Sequence, residues 1–397
     1  MRLVELDGLR VKQFISLRDS MELMSRILSE GGVRGTIVVN SGEVVDNGEL
    51  YWALRRLGAR LAPVSSSGVE SVFTPLDNLG FYDEVVPDRF RVYNSTEELL
   101  YRNWPTPIVK LNSLSDGRVN VWAKLEFYNP FSNSIKDRIG WFMFKRALES
   151  GCGESHLLYE ATSTNTGVAL ASMAAIHGFK AKLFLPATVQ KASDVLLKVL
   201  GAEVVRVPKR ITVEFVEDVD REARRDGSLH LNQFENDANF EVHLRYTAKE
   251  IDYQLMGAGI RPRAIIGGIG TSGHLSAIAF YFKNKTRNSI EVYAAQPKPG
   301  DTIPGIRRIE SGMKWIHWVE IDDIIDVARD DALREMINLA RSEGLLVGMS
   351  SGAVIAAFKK LRERGIQEGD YILVFPDHGC KYVEQLSEYL KRESLGT

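Results

Sequence analysis

Lys136 is the residue of this sequence whose type and setting best suit covalent chemistry. It follows a turn of small and polar residues, NPFSNS at 129–134, and an apolar, helix-like run follows it from Ile139 to Phe144. This pattern places Lys136 where a loop enters a helix. Since the helix dipole disfavours a cation at that end, we expect a lowered pKa and a better nucleophile or Schiff-base former.

A glycine-rich stretch, GGIGTSGH at 267–274, lies between an apolar run and a helix-like run. Glycines let the backbone approach an anion, and the N–H groups at a helix start bind phosphate. Gly268, Gly270 and Gly273 also fit the GxGxxG pattern of dinucleotide sites, which expects an acidic residue at the end of the next strand. That predicted strand ends in Gln296. The stretch therefore indicates a phosphate site more than an NAD site.

Two further stretches combine hydroxyl residues with a predicted strand-to-helix turn. The first, ATSTNTG at 161–167, holds five hydroxyl or amide residues, more than the single residue that a helix N-cap needs. The surplus suits a loop that binds a carboxylate through hydroxyls and backbone N–H groups. The second, GMSSGA at 348–353, is weak evidence by itself, because serine and glycine are ordinary turn residues.

The composition excludes several classes of protein. The net charge of −2 gives no gross field for nucleic acid or an anionic membrane. No apolar run reaches the roughly 20 residues of a membrane span, and the charged N-terminus has no signal-peptide core. Seven scattered histidines and two cysteines, Cys152 and Cys380, predict no metal site, no disulfide framework and a cytoplasmic location. We expect Cys380 to be a buried structural thiol.

Strand-like and helix-like runs alternate from residue 119 onward, which is typical of an α/β protein with mostly parallel sheets. The predicted strands are Val119–Leu125, His156–Ala161, Ala181–Pro186, Glu203–Val207, Leu229–Phe234, Arg263–Ile266, Ile290–Ala295, Leu345–Val347 and Tyr371–Phe375. The predicted helices include Gly167–His177, Gln190–Leu200, Ala238–Leu255 and Gly352–Arg362. In such sheets, ligands bind at the carboxyl ends of the strands.

Residues 1–100 form a separate segment without a catalytic constellation. It has two strand-like runs, Thr36–Asn40 and Ala59–Val64, a helix-like run over Asn47–Leu57 and a capping box that begins at Ser95. We expect an extension that packs on the main body or builds a subunit interface.

The four loops, in this order along residues 104–390, resemble those of the fold-type II pyridoxal-phosphate enzymes, which include cysteine synthases, cystathionine β-synthases, threonine synthases and serine/threonine dehydratases. The resemblance implies that Lys136 is the Schiff-base lysine and that Asn165 hydrogen-bonds the cofactor's 3-hydroxyl group. It implies that a loop of Thr162, Ser163, Thr164 and Thr166 binds the substrate carboxylate. It implies that Ser350 faces the pyridine nitrogen. It also implies that the cofactor phosphate lies in a cup made by Gly268, Gly270, Thr271, Ser272, Gly273 and His274. Thr164 replaces a usual glycine, and His274 replaces a common threonine.

Within that family, the sequence is similar to archaeal-type O-phosphoserine sulfhydrylase. The similar stretches are residues 232–240, which contain Gln233 and Phe234, and residues 300–308, in which Arg307 matches the arginine that recognises the substrate phosphate. The likeness implies two three-layer α/β/α domains, a large one of residues 101–136 and 245–397 and a smaller, mobile one of residues 137–244. It also implies a homodimer.

The implied reaction is the replacement of the phosphate of O-phospho-L-serine by sulfide, which gives L-cysteine, with O-acetyl-L-serine as a possible second donor. The alternatives left open are a cystathionine β-synthase, a threonine synthase or a dehydratase on the same scaffold. An NAD-dependent oxidoreductase and a non-catalytic relative are more remote.

Overall fold

The structure, a computed structural model, describes residues 1–152 and 154–395. The N-terminal segment contains β1 (Arg2–Glu5), α1 (Leu17–Glu30), β2 (Gly32–Arg34), β3 (Ile37–Asn40), β4 (Glu43–Asp46), α2 (Gly48–Leu57), β5 (Leu61–Ser65), β6 (Phe73–Pro75) and α3 (Thr96–Tyr101).

The middle of the chain alternates strands and helices. It contains β7 (Ile108–Lys110), β8 (Val119–Leu125), α4 (Lys136–Glu149), β9 (Leu157–Ala161), α5 (Thr164–His177), β10 (Lys180–Pro186), α6 (Ala192–Val199), β11 (Glu203–Val207), α7 (Val216–Asp226) and β12 (Leu229–His230).

The remaining elements continue the alternation. They are α8 (Ala238–Val242), a π-helical turn (His243–Ala248), α9 (Lys249–Gly257), β13 (Pro262–Gly268), α10 (Gly273–Lys285), β14 (Glu291–Pro297), β15 (Asp323–Val327), α11 (Arg329–Glu343), α12 (Met349–Glu363), β16 (Gly369–Phe375) and α13 (Val383–Leu395). Among the described residues, no helix combines the length and apolarity needed to span a bilayer.

Two mainly parallel sheets dominate the fold. The larger has the order β15-β14-β13-β16-β8-β7 and is parallel except at β7–β8, and the smaller, β11-β10-β9-β12, is parallel throughout. The prediction of an α/β protein with mostly parallel sheets is confirmed. The strands of the larger sheet come from residues 108–125 and 262–375, and those of the smaller from residues 157–230.

The predicted elements differ from the observed ones in a few places. The predicted strand Leu345–Val347 is wrong, because only an isolated bridge from Val347 to His378 forms there before α12 begins. The helix predicted over Ala238–Leu255 contains a π-helical turn. β15 was not predicted, since its sequence DIIDV contains two aspartates and only a short apolar run between them.

A buried ion cluster lies beneath the start of α4. Arg138 donates to Glu126 and to Glu250, at 2.6 Å in each case, and Lys124 donates to Glu250 at 3.0 Å. All four side chains are fully buried, and the Arg138 guanidinium stacks over the Trp104 ring. Burial alone would raise the pKa of Glu250, but Arg138 and Lys124 hold it at about 2. The cluster ties α4 to β8 and α9.

We predict that Arg138→Met lowers the midpoint of thermal unfolding by roughly 10 °C, because two buried carboxylates would then share one cation, a loss of about 3–5 kcal/mol. Differential scanning calorimetry measures the midpoint. The matched control is Arg118→Met, which removes an exposed pair with Glu368 and should cost less than about 1 kcal/mol. Equal shifts for the two variants would contradict the structural role of the cluster.

Candidate active site

A cavity lies where the carboxyl ends of strands from both sheets meet. Its walls come from the loops that follow β8, β9, β10, β11, β12, β13, β14 and β16. This is the edge at which open parallel sheets bind ligands. The predicted site residues in the cavity wall are Lys136, Ser163, Thr164, Asn165, Thr166, Gln233, Phe234, Gly270, Thr271 and Arg307. Those buried outside this lining are Thr162, Gly268, Ser272, Gly273, His274 and Ser350.

Lys136 is the first residue of α4, as its sequence context predicted. Its backbone N–H donates to the Ser134 hydroxyl at 3.1 Å, and Asp137 accepts from the N–H groups of Phe131 and Ser132. Burial lowers the pKa of Lys136 to about 8, and the Asp377 carboxylate partly opposes that shift. The direction agrees with the sequence prediction, and burial is its largest cause. An amine with this pKa is substantially neutral in mildly basic solution.

The hydroxyl-rich loop leads into α5 with Ser163 at the N-cap position. No side-chain hydrogen bond caps this helix, although the loop is rich in capping residues. Thr164 pairs with Ser193 at 2.6 Å, and Thr166 donates to Gln233 at 2.8 Å. The hydroxyls are therefore used to fix the loop, and the helix N-terminus beside the cavity suits an anion.

The glycine-rich loop joins β13 to α10 and encloses a set of buried polar atoms without partners. Ser272 has φ 71°, and its hydroxyl has no hydrogen-bond partner in the described part of the chain. The same holds for His274 Nε2, Ser276 Oγ and Asn239 Oδ1. Unpaired buried polar groups are costly, and donors at a helix start suit a phosphate.

His274 is buried, and burial lowers its pKa to about 3, with the nearby Lys136 adding to the effect. Its ring lies 5.9 Å from that of His243, edge to face. The imidazole is therefore neutral in the structure and offers one N–H donor. This histidine is therefore uncharged at neutral pH.

The serine pair at the start of α12 is also buried. Ser350 follows the N-cap residue Gly348 by two positions, and a Cβ atom built on Gly305 would lie 3.8 Å from its hydroxyl. The neighbouring Ser351 hydroxyl has no partner among the described residues. Ser350 therefore lies directly behind the loop that carries Arg307.

Arg307 occupies an unusual setting for an arginine. Its Nε donates to the Gly270 carbonyl at 2.7 Å, one terminal nitrogen donates to the Ser311 hydroxyl at 3.1 Å, and the guanidinium lies 5.0 Å over the Phe234 ring. Within residues 1–152 and 154–395, it forms no ion pair with a carboxylate. Burial lowers the pKa of Arg307 to about 10. This largely desolvated cation is available to an anion in the cavity.

Sequence reasoning missed a second group of cavity residues, which come from the four loops that follow β10, β11, β14 and β16. The residues are Pro186, Thr188, Val189, Gln190, Arg210, Ile211, Thr212, Val213, Thr302, Ile303, Pro304, Gly305, Ile306, Lys381, Tyr382 and Gln385. In the stretches around residues 304 and 377, the sequence analysis identified only Arg307 and Cys380. The signal that could have found the other cavity residues there, and residues 186–190, is their position in a loop after a predicted strand.

The expectation for Cys380 is wrong. Both Cys380 and Cys152 are exposed free thiols. The chain turns after β16 so that Asp377 and Tyr382 are buried, while Cys380 between them points outward. Among the described residues, no group of three or more histidine, cysteine, aspartate or glutamate side chains could hold a metal ion.

Comparison with known proteins identifies the family. The family described as pyridoxal-phosphate dependent enzyme matches residues 99–377. The cysteine synthase of Staphylococcus aureus strain Mu50 is 35% identical over 291 residues, which cover 70% of this chain and 92% of the relative.

Two solved structures are similar in fold. A hydrogen sulfide-producing enzyme from Fusobacterium nucleatum has a TM-score of 0.67 and 29% identity, covering 74% of this chain and 100% of that one. O-ureido-L-serine synthase has a TM-score of 0.66 and 26% identity, covering 74% and 94%. Together with the cavity around Lys136, these matches place the chain in the pyridoxal-phosphate dependent enzyme family, among the relatives of the cysteine synthases.

Proposed function

We propose that the protein is a cysteine synthase that replaces the phosphate of O-phospho-L-serine by sulfide, giving L-cysteine and inorganic phosphate. The observation that carries this choice of donor is Arg307, a half-buried, cavity-lining guanidinium that has no carboxylate partner in the described chain. A buried charge without a counter-ion is costly, and a planar guanidinium suits two-point binding of a phosphate.

Arg308 shows that this setting is not a general property of the loop. Its guanidinium donates to Asp326, to Glu310 and to the Pro297 carbonyl, all at 2.7–2.8 Å. The two arginines are adjacent in sequence, but only Arg307 leaves its charge uncompensated. A substrate that brings a dianionic group to the cavity would supply the missing negative charge.

The loop between β13 and α10 fits the phosphate of the family's cofactor. A Cβ atom at Gly270 would lie 2.4 Å from the Gly305 carbonyl oxygen, and one at Gly273 would lie 2.2 Å from Asn239 Oδ1. The backbone is therefore packed too closely for any side chain at these positions. This packing leaves for an anion the Ser272 hydroxyl and the His274 imidazole, whose Nε2 has no partner in the described chain.

The assignment of the remaining cofactor contacts follows the family resemblance. Lys136 would hold the cofactor covalently, Asn165 would face its hydroxyl group, and Ser350 would face its ring nitrogen. Bound pyridoxal phosphate supplies an electron sink that makes the α-proton of an amino acid removable. Ser350 is neutral, and so it would not impose a positive charge on the ring as a carboxylate would.

The chain's own groups account for the handling of the substrate. The uncapped N-terminus of α5, with Ser163 and Thr164 in the cavity wall, binds the carboxylate. Arg307 binds and orients the leaving phosphate. The Lys136 amine, with a pKa near 8, accepts the α-proton as a general base. Residues 137–244, which form the smaller sheet and its helices, would move with the hydroxyl-rich loop to close the cavity and exclude water.

The other candidates lack a comparable observation. A dinucleotide site would need an acid at the end of β14, where Gln296 instead donates to Asp326 and accepts from the Ile309 N–H. Activity with homocysteine, or phosphate release from O-phosphohomoserine, would favour a cystathionine β-synthase or a threonine synthase. The homodimer, the cytoplasmic location and the two-domain division with residues 1–100 as an extension belong to this proposal and follow the family resemblance.

We predict that O-phosphoserine changes the visible absorption spectrum of the yellow protein loaded with pyridoxal phosphate, and that sulfide restores it. The change requires the donor to react in the cavity, and the recovery requires sulfide to act as acceptor. Rapid-mixing spectrophotometry follows both steps, with phosphate release as the second readout. A spectrum that ignores O-phosphoserine but responds to O-acetylserine would contradict the proposed donor.

We predict that Arg307→Ala raises KM for O-phosphoserine about 100-fold and changes KM for O-acetylserine less than about 3-fold, because only the first substrate carries a dianion. Steady-state kinetics with both donors measures the ratio. Arg308→Ala is the matched control and should leave both constants near their starting values, since its charge is already compensated. Equal effects of Arg307→Ala on the two donors would remove Arg307 from this role.

We predict that Gly270→Ala weakens the binding of pyridoxal phosphate at least about 10-fold, because the new Cβ must displace the Gly305 carbonyl and with it the cup. Fluorescence titration of the apoprotein with the cofactor measures the dissociation constant. Gly257→Ala, at a helix position with no atom within 4 Å of the new Cβ, is the control. Unchanged binding in Gly270→Ala would show that the loop does not hold the cofactor.

A further inference from the structure

Asp377 occupies the junction of three segments that line or support the site. Its backbone pairs with Ser134 in an isolated bridge, and its carbonyl accepts from the Gly348 N–H at 2.9 Å. Its carboxylate is buried and accepts from Asn165 Nδ2 at 2.8 Å and from the Tyr382 hydroxyl at 2.6 Å. The loop before Lys136, the start of α12 and the start of α5 therefore all contact this one residue.

The second carboxylate oxygen of Asp377 has no hydrogen-bond partner in the described chain. A Cβ atom at position 348 would lie 1.9 Å from that oxygen, so the absence of a side chain at Gly348 is what makes room for it. The structure thus keeps a buried, incompletely satisfied carboxylate close to Lys136, although such a group is costly.

Lys381 completes the arrangement from the opposite side. Its ammonium donates to Asn165 Oδ1, to the Ser132 carbonyl at 2.6 Å, and lies 3.8 Å from the Asp377 carboxylate. The Asn165 amide is therefore held between an acceptor-only carboxylate and a donor-only ammonium. This pair of neighbours permits one orientation of the amide and excludes the flipped one.

Asp377 also acts electrostatically on Lys136, and Lys381 acts on Asp377. The Asp377 carboxylate favours the charged form of Lys136 and opposes the effect of burial. The positive charge of Lys381 acts against Asp377, because it lies next to the same carboxylate.

The other ionisable groups near Lys136 contribute less. His274 and His243, from α10 and the π-helical turn, are buried and neutral, since burial lowers the pKa of each. Burial raises the pKa of Tyr382, which keeps it neutral, and Asp137 is engaged by two backbone N–H groups. Arg138 is compensated by two glutamates.

We propose that Asp377 and Lys381 are positioning residues of the cofactor site, which fix the Asn165 amide toward the cofactor and together set the charge state of Lys136. This inference rests on the family's cofactor and on these contacts, and it is independent of the proposed donor. Experiments with the apoprotein and pyridoxal phosphate alone therefore test it even if O-phosphoserine is the wrong substrate.

The first experiment measures the rate at which the apoprotein incorporates pyridoxal phosphate between pH 6 and pH 10, since only the neutral amine of Lys136 reacts. We expect Asp377→Asn to move the midpoint down by about one pH unit, because the charge that favours the ammonium is lost. We expect Lys381→Met to move it up, because a competing cation is lost. The cofactor's own ionisations are common to all variants and cancel in the comparison.

Lys182→Met is the matched control, since Lys182 is a partly buried, ion-paired lysine of β10 outside the cavity wall. It should leave the midpoint unchanged. Midpoints that move in the same direction for Asp377→Asn and Lys381→Met, or that do not move, would overturn the electrostatic part of the proposal. Asp377→Ser replaces Asp377→Asn if the latter does not fold, as judged by circular dichroism.

The second experiment tests the amide orientation with a double-mutant cycle. At pH 10, where the Lys136 amine is neutral in every variant, we expect Asp377→Asn to weaken cofactor binding about tenfold in the parent protein and to have almost no effect in the Asn165→Ala background, because its remaining effect acts through Asn165. Fluorescence titration measures each dissociation constant. Equal losses in both backgrounds would show that Asp377 supports the fold without positioning Asn165, and would overturn this part.

Discussion

The burial of one amine is the constraint on which the site depends. Lys136 must lie in a desolvated position to have a pKa near 8, and a desolvated cation is unstable without nearby negative charge. The loop that ends at the first residue of α4 places the amine in such a position, and Asp377 supplies the negative charge. Two residues later, Arg138 enters a fully buried ion cluster and fixes the start of the helix on β8 and α9. The position of the amine is thus set by the core below it.

The parallel sheets bring several buried polar groups together at one edge. Loops that follow strands of both sheets meet there, and the described chain leaves buried polar atoms without partners at Ser272, His274, Ser351 and Asp377. In a protein interior, most such groups find partners. Their clustering behind one cavity, next to glycines that admit no side chain, indicates that a ligand completes this network. The phosphate of the family's cofactor suits the part of this network at Ser272 and His274.

Local sequence patterns were sufficient to predict where the candidate site residues lie along the chain, but not how those residues are arranged relative to one another. The strand Val119–Leu125 and the start of α4 at Lys136 follow from apolar runs and a turn, and both are observed. The role of Asp377 depends on contacts more than 200 residues apart in sequence, such as that with Asn165, which no local pattern contains. The exposure of the Cys380 thiol was mispredicted for a different reason, because one turn after β16 decides which of the neighbouring residues are buried.

The N-terminal segment shows how a stretch without chemistry still contributes to the site. Its helix α1 packs on α10, the helix that begins at the phosphate loop. Buried pairs join the segment to the helices before β13: Arg56 donates to Glu241 at 2.9 Å, and Tyr82 donates to Asp252 at 2.6 Å. One hydrophobic cluster contains residues of both parts, such as Leu54 of α2 and Ile278 of α10. The segment therefore packs on the middle of α10, behind the glycine-rich loop from which that helix begins. It supports that helix without contributing a cavity-lining residue of its own.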